Sequence, residues 1–331
     1  MKLNCDLECI TAWTRDWLVT INPGKTKSIT FSPKRLKPTH PTLYFAIEIV
    51  NNHKHLGVVL SSNLSWRVHF LNIYEKASKK LNLLKGLKFK ISTETLSKLY
   101  KSFIRPVMEY ANVLWDGCSE SESDLIEFVQ YQSAIVVTGA MKGTSRARLL
   151  EELAWEDMKT RRSMDKLVLY FKIVNNLTPN YLLNLLPQTV QQRSGLSLRY
   201  ALNFTPFLPR TERFKKSFFP LTTMLWNSID YIYRNTISIS LFKKFLSRFF
   251  DIPNYNKYYD FSIDRYSSIL HTRLRLNCSA LNYYLSKINC SLSPACTCGA
   301  KCESLIHYLL QCPRYAALRL SLSLGCCTSL W

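Results

Sequence analysis

The sequence predicts a mostly α-helical protein with a small β-rich (α+β) piece at its N-terminal end and a small cysteine-bearing unit at its C-terminal end. Three observations carry this reading. Short β-rich runs broken by turn residues fill the first 60 positions, and apolar residues then recur at helical spacing to about residue 185. Finally, six of the 11 cysteines crowd between Cys278 and Cys312.

Taken in order, Cys5–Leu18 reads as a short helix with Trp13 and Trp17 one turn apart, followed by an Asn22-Pro23-Gly24 turn. Ser28–Phe31, Phe45–Val50 and Leu56–Leu60 read as strands, with Asn51–His55 as a hairpin-like connection between the last two. From Trp66 to Leu84, Phe70, Ile73, Tyr74, Ala77, Leu81 and Leu84 share one helical face, and Lys76, Lys79 and Lys80 lie opposite. Thr93–Asp116 is a second helical stretch, with Pro106 imposing a kink or a junction of two helices. Glu122–Val137, Ser145–Trp155 and Met158–Asn176 follow, the last with Arg161 and Arg162 at its start and Leu167, Tyr170, Phe171 and Val174 as its stripe. Residues 187–220 read as loop-rich and basic, before helices resume at Leu221–Ile232 and Ser238–Phe250. Four units result: 1–60, 61–186, 187–262 and 263–331.

The formal charge is +21, and it is unevenly placed: residues 1–120 carry +9, residues 121–180 balance, and residues 181–331 carry +12. Two basic blocks around a neutral middle point to a polyanion, of which nucleic acid is the commonest. No apolar run approaches the ~20 residues of a membrane span, and Asp6 and Glu8 interrupt any signal-peptide core. The expected location is therefore intracellular, in nucleus and/or cytoplasm, with neither secretion nor a membrane partner. In such a compartment thiols stay reduced, so clustered cysteines imply metal rather than disulfides.

Gly24-Lys25-Thr26 lacks the glycine a phosphate-binding loop needs five positions earlier, where Val19 stands. The run from Cys296 to Cys312 is stronger. His307 and Cys312 form one ligand pair, and either Cys296 with Cys298 or Cys298 with Cys302 forms the other. Four such ligands would make a closed, structural zinc site, with Cys302 the alternative to the set Cys296, Cys298, His307 and Cys312. Aromatic and basic residues alternate in Phe214-Lys215-Lys216-Ser217-Phe218-Phe219 and in Tyr255-Asn256-Lys257-Tyr258-Tyr259, a pattern that suits stacked bases and held phosphates as well as an ordinary core edge. The chain contains no Asp-Asp pair, and so no evident paired-carboxylate site for two-metal chemistry.

The order of motifs resembles the C-terminal part of a non-LTR, jockey-like (LINE-type) retrotransposon reverse transcriptase. Trp17–Thr26 is similar to the segment after that family's catalytic palm loop, and His53-Lys54-His55-Leu56-Gly57-Val58 to its primer-grip hairpin. Asn63–His69, Tyr100–Ala111, Trp115-Asp116, Gln130–Ala134, Thr138–Ala140 and Glu152–Arg162 resemble its helical thumb. Ser217–Pro220 with Trp226-Asn227 is similar to the connector, and Thr272–Leu276, the cysteine cluster and Cys312–Tyr315 to the CCHC knuckle. The resemblance thus implies a palm edge at 1–60, a thumb at 61–186, a basic connector at 187–262 and a zinc knuckle at 263–331. It implies RNA-directed DNA synthesis in the family, with catalytic aspartates just upstream of the position matching residue 1, and Mg²⁺ in a complete enzyme only. The expectation is a chain that binds template–primer (RNA and RNA–DNA hybrid) through its backbone, with Lys25, His53, Lys54, His55, Lys76, Lys79, Lys80, Arg161, Arg162, Lys215 and Lys216 as contacts, and that does not copy it. The alternatives are an incomplete gene model of an active enzyme, or a non-catalytic zinc and protein-interaction remnant.

Overall fold

A computed structural model describes residues 2–32, 47–195, 200–236, 238–252 and 264–325. Phe45, the 255–259 aromatic run and the tail after Gly325 lie outside the described residues. The described residues are mostly helical, with two small two-stranded sheets among them. Helix α1 (Lys2–Asp16) stops before Leu18, which takes a positive φ of 54°. A single 3-10 turn (Pro23–Lys25) leads to β1 (Lys27–Ser28), which pairs in parallel with β2 (Glu48–Ile49).

The hairpin corrects one expectation. Asn51–His55 is not a connection: β3 (Asn52–His55) is itself a strand, paired antiparallel with β4 (Val58–Ser61) so that His55 faces Val58. The turn is Leu56-Gly57, with φ of 46° and 85°. Two consecutive positive φ values are what a two-residue type I′ hairpin turn requires. The first strand is polar and largely exposed, so only its backbone pairing marks it as a strand, whereas β4 turns Val58 and Val59 inward.

Helix α2 (Arg67–Gly86) buries Phe70, Ile73, Ala77, Leu81 and Leu84, as its period requires. Helix α3 (Thr93–Leu99) starts at Ser92, whose hydroxyl accepts the Thr95 amide at 3.2 Å. It runs into a π-helical turn (Tyr100–Ile104), and then α4 (Arg105–Glu109) and α5 (Asn112–Trp115). The wide turn sits just before Pro106, which has no amide to continue an α-helical ladder, so the kink is resolved as a π-bulge. Helix α6 (Glu120–Thr138) opens with a Ser119/Glu122 capping box and closes at Gly139 with a φ of 73°. Helices α7 (Arg146–Leu153) and α8 (Met158–Val174) complete the bundle, around a core in which Phe70 meets the edge of Trp115 at 4.9 Å and Tyr100 stacks on Trp155 at 4.0 Å.

A second core forms where Leu167, Tyr170 and Phe171 of α8 meet Trp226, Phe242 and Leu246. Between them lie the one-turn helices α9 (Asn180–Leu183), α10 (Val190–Ser194) and α11 (Glu212–Lys215), then α12 (Phe218–Asn227), α13 (Tyr231–Arg234) and α14 (Ile239–Phe249). The loop-rich stretch is anchored, because the Asn227 carboxamide accepts the Phe204 amide at 3.1 Å and donates to the Phe204 carbonyl at 2.8 Å. The last elements are α15 (Arg265–Arg275), α16 (Asn282–Lys287) and α17 (Ala316–Gly325). Leu276 and Cys278 reach back into the first core. Arg273 donates to the Gly139 carbonyl at 2.9 Å, and Arg265 to the Val136 carbonyl at 3.1 Å. Among the described residues, no helix is long and apolar enough to cross a membrane.

Candidate nucleic-acid interface and metal centre

The hairpin, α2 and the π-turn enclose a cleft of about 470 Å³. Lys54 enters it from β3, Lys76 and Lys80 from successive turns of α2, and Phe103, Pro106 and Tyr110 form its far side. Lys54 and Lys76 are exposed, and neither pairs with a carboxylate among the described residues. Lys80 is half-buried; its ammonium donates to the Phe103 carbonyl at 2.8 Å and lies 4.0 Å from that ring's centre. A single concave surface with three cations and no acid on its rim attracts phosphate.

Two residues that charge alone does not reveal hold this cleft in shape. His69 is 3% exposed, and its Nδ1 accepts the Val59 amide at 3.3 Å, tying β4 to α2. Burial, with Lys76 nearby, holds its pKa below the usual histidine value. The Tyr110 hydroxyl donates to the Leu56 carbonyl at 2.6 Å, and its ring lies so near Gly57 that a Cβ there would come within 3.0 Å. The hairpin turn is thus clamped against the bundle by a ring that needs a glycine opposite it.

The remaining basic candidates are placed differently. Arg162 is only 2% exposed; it bonds Asp116 at 2.6 Å and Ser123 at 2.6 Å, with Lys166 on the other Asp116 oxygen. Arg161 bonds Glu109 and, at 3.1 Å, Glu156. Buried Arg162 and half-buried Arg161 thus brace α8 against α4 and α5, so both guanidinium charges are engaged by carboxylates of the chain itself. Apart from Glu156, their partners lie dozens of residues away, beyond the reach of a local reading of charge. Lys79 is exposed and paired with Glu75 at 2.6 Å, the ordinary helix-surface pair. His53 and His55 share one face of β3 with ring centres 6.4 Å apart. Lys25 is exposed at the 3-10 turn, away from the residues that line the cleft. Lys215 and Lys216 are exposed at α11, Lys215 near Glu212 at 3.4 Å.

The cysteine set is resolved by geometry. Ligand atoms of Cys296, Cys298, His307 and Cys312 all lie within 4.8 Å of one another, and Cys302 is not among them. The Cys296 and Cys312 sulfurs are 3.8 Å apart, too far for a disulfide. A tetrahedral zinc with Zn–S of about 2.3 Å sets its sulfurs ~3.8 Å apart. The Cys298 sulfur is 3.2 Å from His307 Nε2, against ~3.6 Å for such a tetrahedron. Gly299 makes the turn with a φ of 94°, and the Cys296 amide closes it on the Ala300 carbonyl at 2.9 Å. The Ala300 amide bonds the Cys298 sulfur and holds its thiol below the usual range, while desolvation raises that of Cys312. His307 opens a π-helical turn (His307–Gln311) and Cys312 follows it, with the Cys312 carbonyl bonded by Arg319 at 2.6 Å. These four residues fit a closed zinc site with no ligand position left for substrate.

Fold and site together define a basic helical protein that joins a hairpin to a bundle and carries a Cys₃His cluster beyond it. Comparison with known proteins adds a partial similarity. A 133-residue stretch is 27% identical to the probable RNA-directed DNA polymerase from transposon X-element of Drosophila melanogaster, covering 38% of this chain and 14% of that protein. A 138-residue stretch is 25% identical to the RNA-directed DNA polymerase from mobile element jockey of Drosophila funebris, covering 40% and 15%. A 166-residue stretch is 24% identical to the probable RNA-directed DNA polymerase from transposon BS of Drosophila melanogaster, covering 47% and 18%. The matched stretches thus span less than a fifth of the length of these relatives. No family model matches, and no solved structure does. The chain contains a region similar to the reverse transcriptases of jockey-like non-LTR retrotransposons, as its collinear motifs imply.

Proposed function

We propose that this chain is the nucleic-acid-holding part of a non-LTR reverse transcriptase: a palm edge, a helical thumb, a basic connector and a zinc knuckle that grip the template–primer backbone without copying it. One observation carries the reading. Lys54 of the hairpin and Lys76 and Lys80 of α2, more than 20 residues apart in sequence, converge on one cleft with no acid on its rim. A primer-grip strand facing a thumb helix across such a cleft would hold a duplex by its phosphates, independently of base sequence. The Cys₃His set would bind one structural Zn²⁺, since every ligand position is filled by protein. Copying needs a carboxylate pair for two Mg²⁺ ions, and this sequence has no Asp-Asp pair to supply the usual one. Such a protein would work inside the cell, where template RNA and chromosomal DNA are found.

The test is a gel shift of an RNA–DNA hybrid run beside primer extension with Mg²⁺ and deoxynucleotides. The expected result is a salt-sensitive shift without extension. Extension by the purified chain would overturn the non-copying reading, and a shift absent even at low salt would overturn the binding reading.

A further inference from the structure

A second groove, remote in sequence from the lysine cleft, has a different chemistry. It measures about 510 Å³ and lies between α13 and α14. Tyr233 of α13 stacks on Phe245 of α14, ring centres 3.7 Å apart and planes within 14°. Phe249 continues the row one turn along, 5.7 Å from Phe245. Phe242 and Leu246 anchor α14 in the second core, so the row has a rigid base. Tyr233 keeps 41% of its surface exposed although Phe245 covers one face of its ring, and Phe249 keeps 43%. The cations stand beside the rings: Lys244 and Arg248 line the same groove, each one residue before a phenylalanine and one helical turn apart. Both are exposed, α14 carries no acidic residue, and neither cation pairs with a carboxylate among the described residues.

We infer that this groove binds single-stranded nucleic acid, with an unpaired base stacked on Tyr233 and adjacent phosphates held by Lys244 and Arg248. The rings select the occupant. In a duplex the base faces are already stacked on their neighbours and closed to a tyrosine, so only an unpaired strand uses an open ring face. The unpaired cations then require that the strand's backbone be anionic. Stacking on a side chain is tolerant of sequence because every base presents a π face. The inference rests on the proposed function for its class of partner, but the site is separate from the duplex cleft, and the chain would hold paired and unpaired strands at two places.

The test uses the full chain with two fluorescent probes, an RNA–DNA hybrid and an oligonucleotide of about 12 nucleotides, in DNA and RNA versions. Tyr233→Ala is expected to weaken single-strand binding about tenfold, Tyr233→Phe to restore it, and both to leave hybrid binding within about twofold. Lys244→Gln with Arg248→Gln is expected to lower the salt dependence of single-strand binding by about two phosphate contacts. Lys54→Gln with Lys76→Gln is expected to do the reverse, weakening the hybrid and sparing the single strand. A 2-aminopurine base in the strand is expected to be quenched by wild type and by Tyr233→Phe, and not by Tyr233→Ala. Equal single-strand affinity for wild type and Tyr233→Ala overturns the groove while leaving the duplex reading intact. Loss of hybrid binding alone overturns the duplex reading and leaves the groove. Failure of the wild-type chain to bind any single strand, with α14 instead protected by a protein partner, also overturns it.

Discussion

His69 accepts the Val59 amide through Nδ1, and a ring that accepts at Nδ1 is a neutral one, with its proton on Nε2. Burial disfavours the charged form, and Lys76 adds to the effect, so the folded pKa lies below the ordinary histidine value of about 6.5. Below that unfolded value the unfolded chain binds a proton that the folded chain refuses. Stability is therefore fully present above about pH 6.5 and falls with pH below it, through the window down to the folded pKa. NMR titration should place the His69 midpoint below that of a free histidine. Between pH 7 and 5.5 the wild-type chain should lose more stability in urea than His69→Asn, which has no such titration. Equal losses in the two proteins would show that the imidazole does not clamp the hairpin. The same residue shows a limit of reading charge from sequence, where His53 and His55 of the hairpin look equally apt as contacts. They lie on the polar, largely exposed strand β3, and the histidine that shapes the cleft is the buried one on α2.

Whole elements were legible where their pattern is self-contained. The α2 stripe repeats at helical spacing, and burial follows it at Phe70, Ile73, Ala77, Leu81 and Leu84, with Tyr74 half-buried. Helix α6, expected over Glu122–Val137, spans Glu120–Thr138, its start set by the Ser119/Glu122 capping box. The hairpin's first strand was not legible, because polar residues on an exposed strand carry no alternation and the pairing lives in the backbone. Nor was the ligand set, since five thiol and imidazole candidates fit the spacing until the Gly299 turn brings Cys298 to His307 and leaves Cys302 aside. Two predictions belong here. Gly139 ends α6 at a φ of 73° with Ile269 of α15 so close that a Cβ would come within 2.4 Å of it. Gly139→Ala should cost about 2 kcal/mol or more from strain and overlap, and Ile269→Ala should recover part of that cost in the double variant. Fully additive losses in urea titrations would deny the contact. For the metal centre, the expected stoichiometry by elemental analysis is about one zinc per chain. A strong chelator should expose the 296–312 segment to protease while the bundle stays folded, because so small a unit has little core of its own. Unchanged zinc content in a variant lacking both His307 and Cys312 would refute the site.

At the scale of the molecule, a charge of +21 overstates what a phosphate backbone can meet. Arg161, Arg162 and Lys166 bind carboxylates within the bundle, Arg275 binds Glu152, and Arg273 binds a backbone carbonyl, so a substantial part of the basic excess holds helices together. Buried pairs of this kind are costly to break one partner at a time, because the other is left charged without compensation. Among the exposed cations with no carboxylate partner in the described residues are Lys54 and Lys76 at the cleft and Lys244 and Arg248 at α14. Two classes of arginine and lysine should therefore separate in one experiment. Each free lysine removed from the cleft should reduce the slope of log affinity against log salt for a hybrid duplex by about 0.9, with little change in unfolding. Arg162→Gln should leave that slope unchanged and lower stability by roughly 3 kcal/mol, since Asp116 then keeps only Lys166 in a buried setting. If Arg162→Gln instead flattened the salt slope with stability intact, the internal reading of the arginine pair would fail, and the nucleic-acid face would have to be moved to the α8 side of the bundle.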